Sequence, residues 1–254
     1  MIHIRPTAQL AERVLLPGDP GRALRLVQAL LRSPKMLNHN RGLWGYTGIA
    51  ADGELLSIQS TGMGGPSAAI VTHELIELGA RRLLRIGTCG SLRAELGLGR
   101  IVIAEAALSD DGTSRQLGAH APLARVAAAA PLLQALRDAA GAPRAPAPLQ
   151  ATVVSTDLYY DASALHPRWL AAGAVAVEME AAAILTVCAR HGVQGGCALL
   201  VSNTLADAHD QRQIEEQQLH DAELSLGALA AAALGAGAAT GQAAGASLQT
   251  SQPT

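Results

Sequence analysis

Leu83-Leu84-Arg85-Ile86-Gly87-Thr88-Cys89-Gly90 is an apolar run with an arginine inside it and a glycine turn at its end. A charge is costly to bury without a partner, so Arg85 predicts a buried contact with an anion, with a structural ion pair as the alternative. Thr88, just past the apolar run, adds a hydroxyl donor. A second stretch repeats the pattern: Leu15-Leu16-Pro17-Gly18-Asp19-Pro20-Gly21-Arg22. Glycine lets backbone N–H groups approach a ligand, and arginine presents a planar fork of donors to oxyanions. Two strand-and-turn units of this kind predict an anion pocket at the end of a sheet.

Outward from these turns, further short apolar runs read as strands: Arg13–Leu16, Leu55–Gln59, Ile101–Ala104, Thr152–Ser155, Val175–Val177 and Cys197–Val201. Helical patterns cover Pro66–Leu78, stopped by Gly79, and Glu178–His191, closed by Gly192. Leu132–Ala140 and Ile214–Ala233 are two more. Alternating strands and helices predict an α/β fold, a mixed sheet with helices on both faces. Pro143–Pro148 is a connector within one domain, residues 1–234. An Ala/Gly-rich tail from Gly235 reads as disordered.

Composition narrows the function. The 254 residues are 49% hydrophobic with no phenylalanine, so the core is aliphatic. A net charge of −2 argues against a nucleic-acid surface. The three cysteines lack metal-ligand spacing, and no signal-peptide pattern opens the chain, which suggests a reduced cytoplasmic protein without metal. The apolar stretch from Leu226 to Ala239 is too short to span a bilayer.

Three further segments carry chemistry. Thr61-Gly62-Met63-Gly64-Gly65-Pro66-Ser67 is a glycine turn entering a helix. It resembles a dinucleotide fingerprint, but Ser67 stands where the last glycine belongs, and no acid follows for a ribose hydroxyl. NAD is therefore rejected, while the helix start can still face an anion or a sugar. Val177-Glu178-Met179-Glu180-Ala181 puts two carboxylates where a buried strand turns into a helix. One of them is expected to point inward and accept hydroxyl bonds. Val201-Ser202-Asn203-Thr204 ends the last strand in polar residues.

Together with Arg41-Gly42-Leu43-Trp44-Gly45-Tyr46-Thr47-Gly48 and Asp157-Leu158-Tyr159-Tyr160, these motifs resemble the hexameric purine nucleoside phosphorylases. Those enzymes form part of the nucleoside phosphorylase family, which also holds uridine phosphorylases. The likeness runs from His3 to about Leu205. It implies a single-domain three-layer fold and phosphorolysis of purine nucleosides, with inorganic phosphate as co-substrate and no cofactor. Gly18, Arg22, Arg85 and Thr88 should hold phosphate, completed by Arg41 of a neighbouring subunit. Met179, Glu180 and Met63 should hold the ribose, with His3 of the neighbour near the 5′-hydroxyl. Cys89, Gly90, Tyr159, Val177 and Glu178 should line the base pocket. A homohexamer with shared sites and no membrane or nucleic-acid partner is implied.

Asn203 departs from one branch of the family. The broad-specificity purine enzymes carry an aspartic acid there, which protonates N7 with help from an arginine. Here the arginine position falls near Glu216, and Arg212 is off register. An amide cannot act as a general acid at neutral pH, but it can donate and accept hydrogen bonds. Asn203 is therefore expected to favour 6-oxopurines such as inosine and guanosine. Catalysis is expected from Asn203, Glu180, Arg22 and Arg85 together. Uridine phosphorylases carry a Gln-x-Arg pair after the aromatic segment. Here only Arg168 stands in that region and keeps the uridine reading open. A hydrolytic nucleosidase uses water and has no need of three arginines in one site. Intact Arg22, Arg85 and Glu180 argue against a non-catalytic nucleoside-binding protein, which the missing acid at Asn203 keeps open.

Overall fold

The computed structural model describes residues 1–141, 147–160, 162–206 and 211–245, the last ten as backbone. Most of the Pro143–Pro148 connector and the end of the tail, residues 246–254, lie outside the described residues.

Among the described residues, ten strands form one mixed sheet. They are β1 (Arg13–Pro17), β2 (Arg32–Asn38), β3 (Gly45–Ile49), β4 (Leu55–Gln59), β5 (Arg82–Ser91), β6 (Ile101–Asp110), β7 (Ala124–Ala127), β8 (Leu149–Thr156), β9 (Ala176–Glu178) and β10 (Gln194–Thr204). Among the described residues, seven α-helices accompany them: α1 (Pro20–Leu30), α2 (Gly65–Glu77), α3 (Gly112–Leu117), α4 (Ala130–Ala140), α5 (His166–Ala171), α6 (Ala181–Arg190) and α7 (Glu216–Gly245).

β5 is the hub. It runs parallel to β1 on one side and to β10 on the other, and its last residues pair antiparallel with β9. Because β10 also pairs with β6, β6 with β8, and β8 with β9, these five strands close into a ring. The open wing runs from β1 through β4 and β3 to β2.

Alternation along the central strands divides the core into layers. Leu15, Leu84 and Ile86 pack with α1, α4 and α7 on one face. Val14, Leu16 and Leu83 pack with α2 and α6 on the opposite face. Arg85 shares the period-2 face of Leu83, so the sheet aims its guanidinium toward the start of α6.

Several boundaries differ from the sequence reading. α1 follows directly on the Gly18 turn, because Asp19 caps it by accepting from Arg22 N at 2.6 Å and Pro20 fits its first turn. The helix expected from Glu178 begins at Ala181, and Glu178 closes β9. Its carboxylate accepts from Glu180 N and Ala181 N, so it serves the helix start from outside. α7 continues past Gly235 to Gly245, where composition suggests a disordered tail. Alanine's helix propensity there outweighs the scattered glycines. Strands β2, β3 and β7 have no clear sequence signal. Among the described residues, no helix is long and apolar enough to cross a membrane.

Candidate active site

The carboxyl ends of β1, β4, β5, β9 and β10 open into one cleft of about 910 Å³. Gly18, Arg22, Met63, Arg85, Thr88, Cys89, Tyr159, Val177, Glu178, Met179, Glu180 and Asn203 all line it. Open α/β sheets place ligands at this end of the strands.

Two loops form the floor. Gly62 N donates to Gly18 O at 3.0 Å and Thr61 N to Pro17 O at 2.9 Å, which laces the β1–α1 turn to the β4–α2 turn. Gly64 has φ +83°, a backbone region that favours glycine. This conformation aims its N–H at Glu180 Oε1, 2.5 Å away.

Arg85 lies almost wholly buried at the centre. Its Nε donates to Glu178 Oε2 at 2.8 Å, and its Nη2 pairs with Glu180 Oε2. Its Nη1 is buried with no partner. An unpaired guanidinium N–H in a buried position suits an anion in the cleft. Burial alone would lower the Arg85 pKa, but Glu180 and Glu178 outweigh it and hold the group above its ordinary value. Gly87 makes room for this arrangement: a Cβ there would stand 2.9 Å from Arg85 Nη2.

Glu178 and Glu180 divide the labour, and both are buried although the sequence predicts one inward carboxylate. The Glu178 carboxylate is taken up by Arg85, the Ser155 hydroxyl, Glu180 N and Ala181 N. Ser155 Oγ in turn accepts from Ala182 N at 2.8 Å. Glu178 thus borders the cleft while its charge is spent on holding Arg85 and α6. Glu180 has one contact per oxygen, to Gly64 N and Arg85, and its remaining lone pairs can accept ligand hydroxyls. Burial pushes the Glu180 carboxyl above its ordinary value, Arg85 pulls it down, and Glu178 reinforces the rise. Arg22 also lowers it, so both arginines act on the same carboxylate.

Arg22 is held from behind. Its Nε donates to Glu223 Oε1 at 2.6 Å, and the Glu223 carboxylate, 4% exposed, also takes Arg25 Nη2 at 2.8 Å. Sequence reasoning misses Glu223. Its signal is an acid at an apolar-stripe position of α7, four residues after Leu219 and three before Leu226.

The facing wall mixes apolar side chains with amide and hydroxyl groups. Burial pushes the Cys89 thiol well above its ordinary value, so it stays neutral beside Val177. Tyr159 and Tyr160 stand exposed at the rim, edge to face at 5.0 Å. A register shift between Val201 and Asn203 re-aims the end of β10. Asn203 Oδ1 lies 3.1 Å from Ser202 Oγ. Gly90 backs this wall and does not line the cleft: a Cβ on it would meet Leu205 at 2.5 Å and Asn203 Nδ2 at 3.2 Å. Arg212 lines the cleft although it is off register in the sequence.

Three arginine or histidine candidates lie apart. His3 and Arg41 border a second cavity of about 330 Å³ with Leu43, Ser67 and Ile70. His3 Nδ1 bonds Glu74 Oε1 at 2.8 Å. Arg41 sits at φ +59° in the Asn40–Gly42 turn. Arg168, the residue behind the uridine reading, donates to Asp110 Oδ1 at 2.9 Å and does not line the main cleft.

Fold and cleft define a three-layer α/β protein that sets paired arginines beside a carboxylate able to grip hydroxyls. A family model described as the phosphorylase superfamily matches residues 12–235, and the chain belongs to that superfamily. The purine nucleoside phosphorylase DeoD-type of Geobacillus kaustophilus is 34% identical over 235 residues, covering 91% of this chain and 97% of the relative. That of Caldanaerobacter subterraneus is 37% identical over 220 residues, 85% and 93% of the two chains. That of Jannaschia is 36% identical over 211 residues, 80% and 87%.

Proposed function

We propose that this protein is a purine nucleoside phosphorylase, splitting purine (deoxy)ribonucleosides with inorganic phosphate into free base and (deoxy)ribose 1-phosphate. The observation that carries this reading is the buried Arg85–Glu180 pair, with an unpartnered Arg85 Nη1, on the same cleft as Arg22. The arginines and Thr88 orient phosphate under the sugar as Glu180 holds the ribose hydroxyls. Met63 and Met179 flank the sugar. A phosphate oxygen bonds to C1′ as the C1′–N9 bond breaks, and its electron pair leaves with the purine, which takes a proton from water to become the free base. Anionic phosphate and Glu180 stabilise the oxocarbenium-like sugar while the two bonds exchange. Cys89, Val177 and Tyr159 pack the base.

Asn203 offers an amide to O6 or N7, so inosine and guanosine should react faster than adenosine. The protein is read as a cytoplasmic homohexamer in which His3 and Arg41 reach the cleft of a second copy. Their separation from their own cleft supports that reading.

One assay tests the whole. Loss of inosine, guanosine, adenosine and uridine is followed with and without phosphate. Phosphate-dependent loss of purine nucleosides, inosine above adenosine, is the expected result. Turnover indifferent to phosphate, with free ribose released, would replace a phosphorylase with a hydrolase. Asn203→Asp should raise adenosine kcat/KM relative to inosine; an unchanged ratio would remove Asn203 as the discriminator.

A further inference from the structure

We propose that Glu223 is a positioning residue for phosphate, acting through Arg22 from the α1-facing side of α7. The inference rests on the phosphorylase reading and adds a residue outside the motifs that carry it. Arg22 reaches the cleft from the first turn of α1, where a long side chain has many rotamers. Its Nε is pinned to Glu223 Oε1 at 2.6 Å, which leaves the two Nη groups for an anion. Glu223 is almost wholly buried and touches Arg25 with its second oxygen. Asp19 Oδ2 also stands 4.0 Å from Arg25 Nη2, so two guanidinium groups face two carboxylates. The buried acid therefore fixes the direction of Arg22 through Nε alone and leaves both Nη groups for the anion. A planar fork recognises an oxyanion only when its orientation is set, so the anchor governs affinity for the nucleophile. α7 thereby couples its packing on α1 to the phosphate subsite.

The test measures steady-state kinetics with inosine and phosphate varied separately. Glu223→Ala should raise the KM for phosphate about 10- to 100-fold, as loss of an outer partner does for other bound ions. The KM for inosine and kcat should stay within about twofold, since α7's acid touches neither sugar nor base. Glu223→Gln keeps one acceptor for Arg22 Nε and should fall between wild type and Glu223→Ala. It also carries the comparison if the alanine variant does not fold. In an Arg22→Gln background, either change at 223 should add nothing further to the phosphate KM. An unchanged phosphate KM in folded Glu223→Gln and Glu223→Ala, or a full additional loss in the Arg22→Gln background, overturns the proposal. Calorimetric titration with inorganic phosphate reads the same ranking without turnover, so failure of the phosphorylase reading stays separate from failure of the anchor.

Discussion

Gly87 shows how much chemistry one missing side chain can hold. The Arg85 guanidinium occupies the space a Cβ at 87 would need, at 2.9 Å from Nη2 and 3.1 Å from Cζ. Gly87→Ala therefore displaces the guanidinium from Glu178 and Glu180. A shift of about 1 Å in a positioned group can cost about 100-fold in rate. We expect kcat/KM for phosphate to fall at least about tenfold, while circular dichroism reports an intact fold. Full activity in Gly87→Ala would mean that Arg85 does not hold the anion in this geometry. Glu180 provides a second check at the same scale. Glu180→Gln keeps the shape but removes the charge opposite the developing cation, and kcat should drop about 100-fold or more. An effect confined to the nucleoside KM would make Glu180 a binding group alone.

Among the elements, α7 does more than close the core. It packs against α1 so closely that a Cβ on Gly227 would lie 2.3 Å from Leu26 Cδ2, and Leu26 is fully buried. Glycine in a helix costs about 1 kcal/mol against alanine, so only close packing explains it here. Gly227→Val should overpack the contact by about 1–3 kcal/mol and lower the melting temperature by roughly 2–4 °C per kcal/mol. A rise in melting temperature would mean that the two helices part without cost. The elements legible from sequence are those with a strong period or a sharp stop, such as α2 with Gly79 behind it. β2 and β3 are not legible. β2 begins Arg32-Ser33-Pro34-Lys35, largely exposed, and owes its strand form to pairing with β3. Pairing between separate segments leaves no local trace in either one.

At the scale of the whole molecule, the N-terminal segment is tied down by a buried acid together with Asn38 and Asn40. Glu74 on α2 accepts from Ile2 N, His3 N and Ile4 N, the last at 2.6 Å, and from His3 Nδ1. Burial opposes ionisation of Glu74, but the bonds from Ile4, His3 and Ile2 win and bring its pKa to about 2. An acid held below its ordinary 4.5 stabilises the fold above that value. The stabilisation is lost as pH falls toward the folded value. The melting temperature of wild type should therefore exceed that of Glu74→Gln near neutral pH. The gap should close as pH falls from about 5 to about 2. A gap independent of pH would show that the Glu74 charge does not hold the segment.

The sequence alone determined the α/β class and the strands that carry the turns, while its resemblance to a family named most residues of the cleft. Apolar periodicity, glycine stops and a lone arginine in a buried strand are local signals, written in neighbouring residues. Only the tertiary structure decided how the charges are shared. Arg85 meets Glu178 across 93 positions and Glu180 just beyond it, and Arg22 meets Glu223 across 201. The fold also sent Gly90 behind the wall, drew Arg212 into the cleft and left His3 and Arg41 outside it. These outcomes depend on a ring closed by β10 and on a helix returning from the end of the chain. Which carboxylate neutralises which guanidinium is set by distance in the folded molecule, and spacing along the chain carries no measure of it.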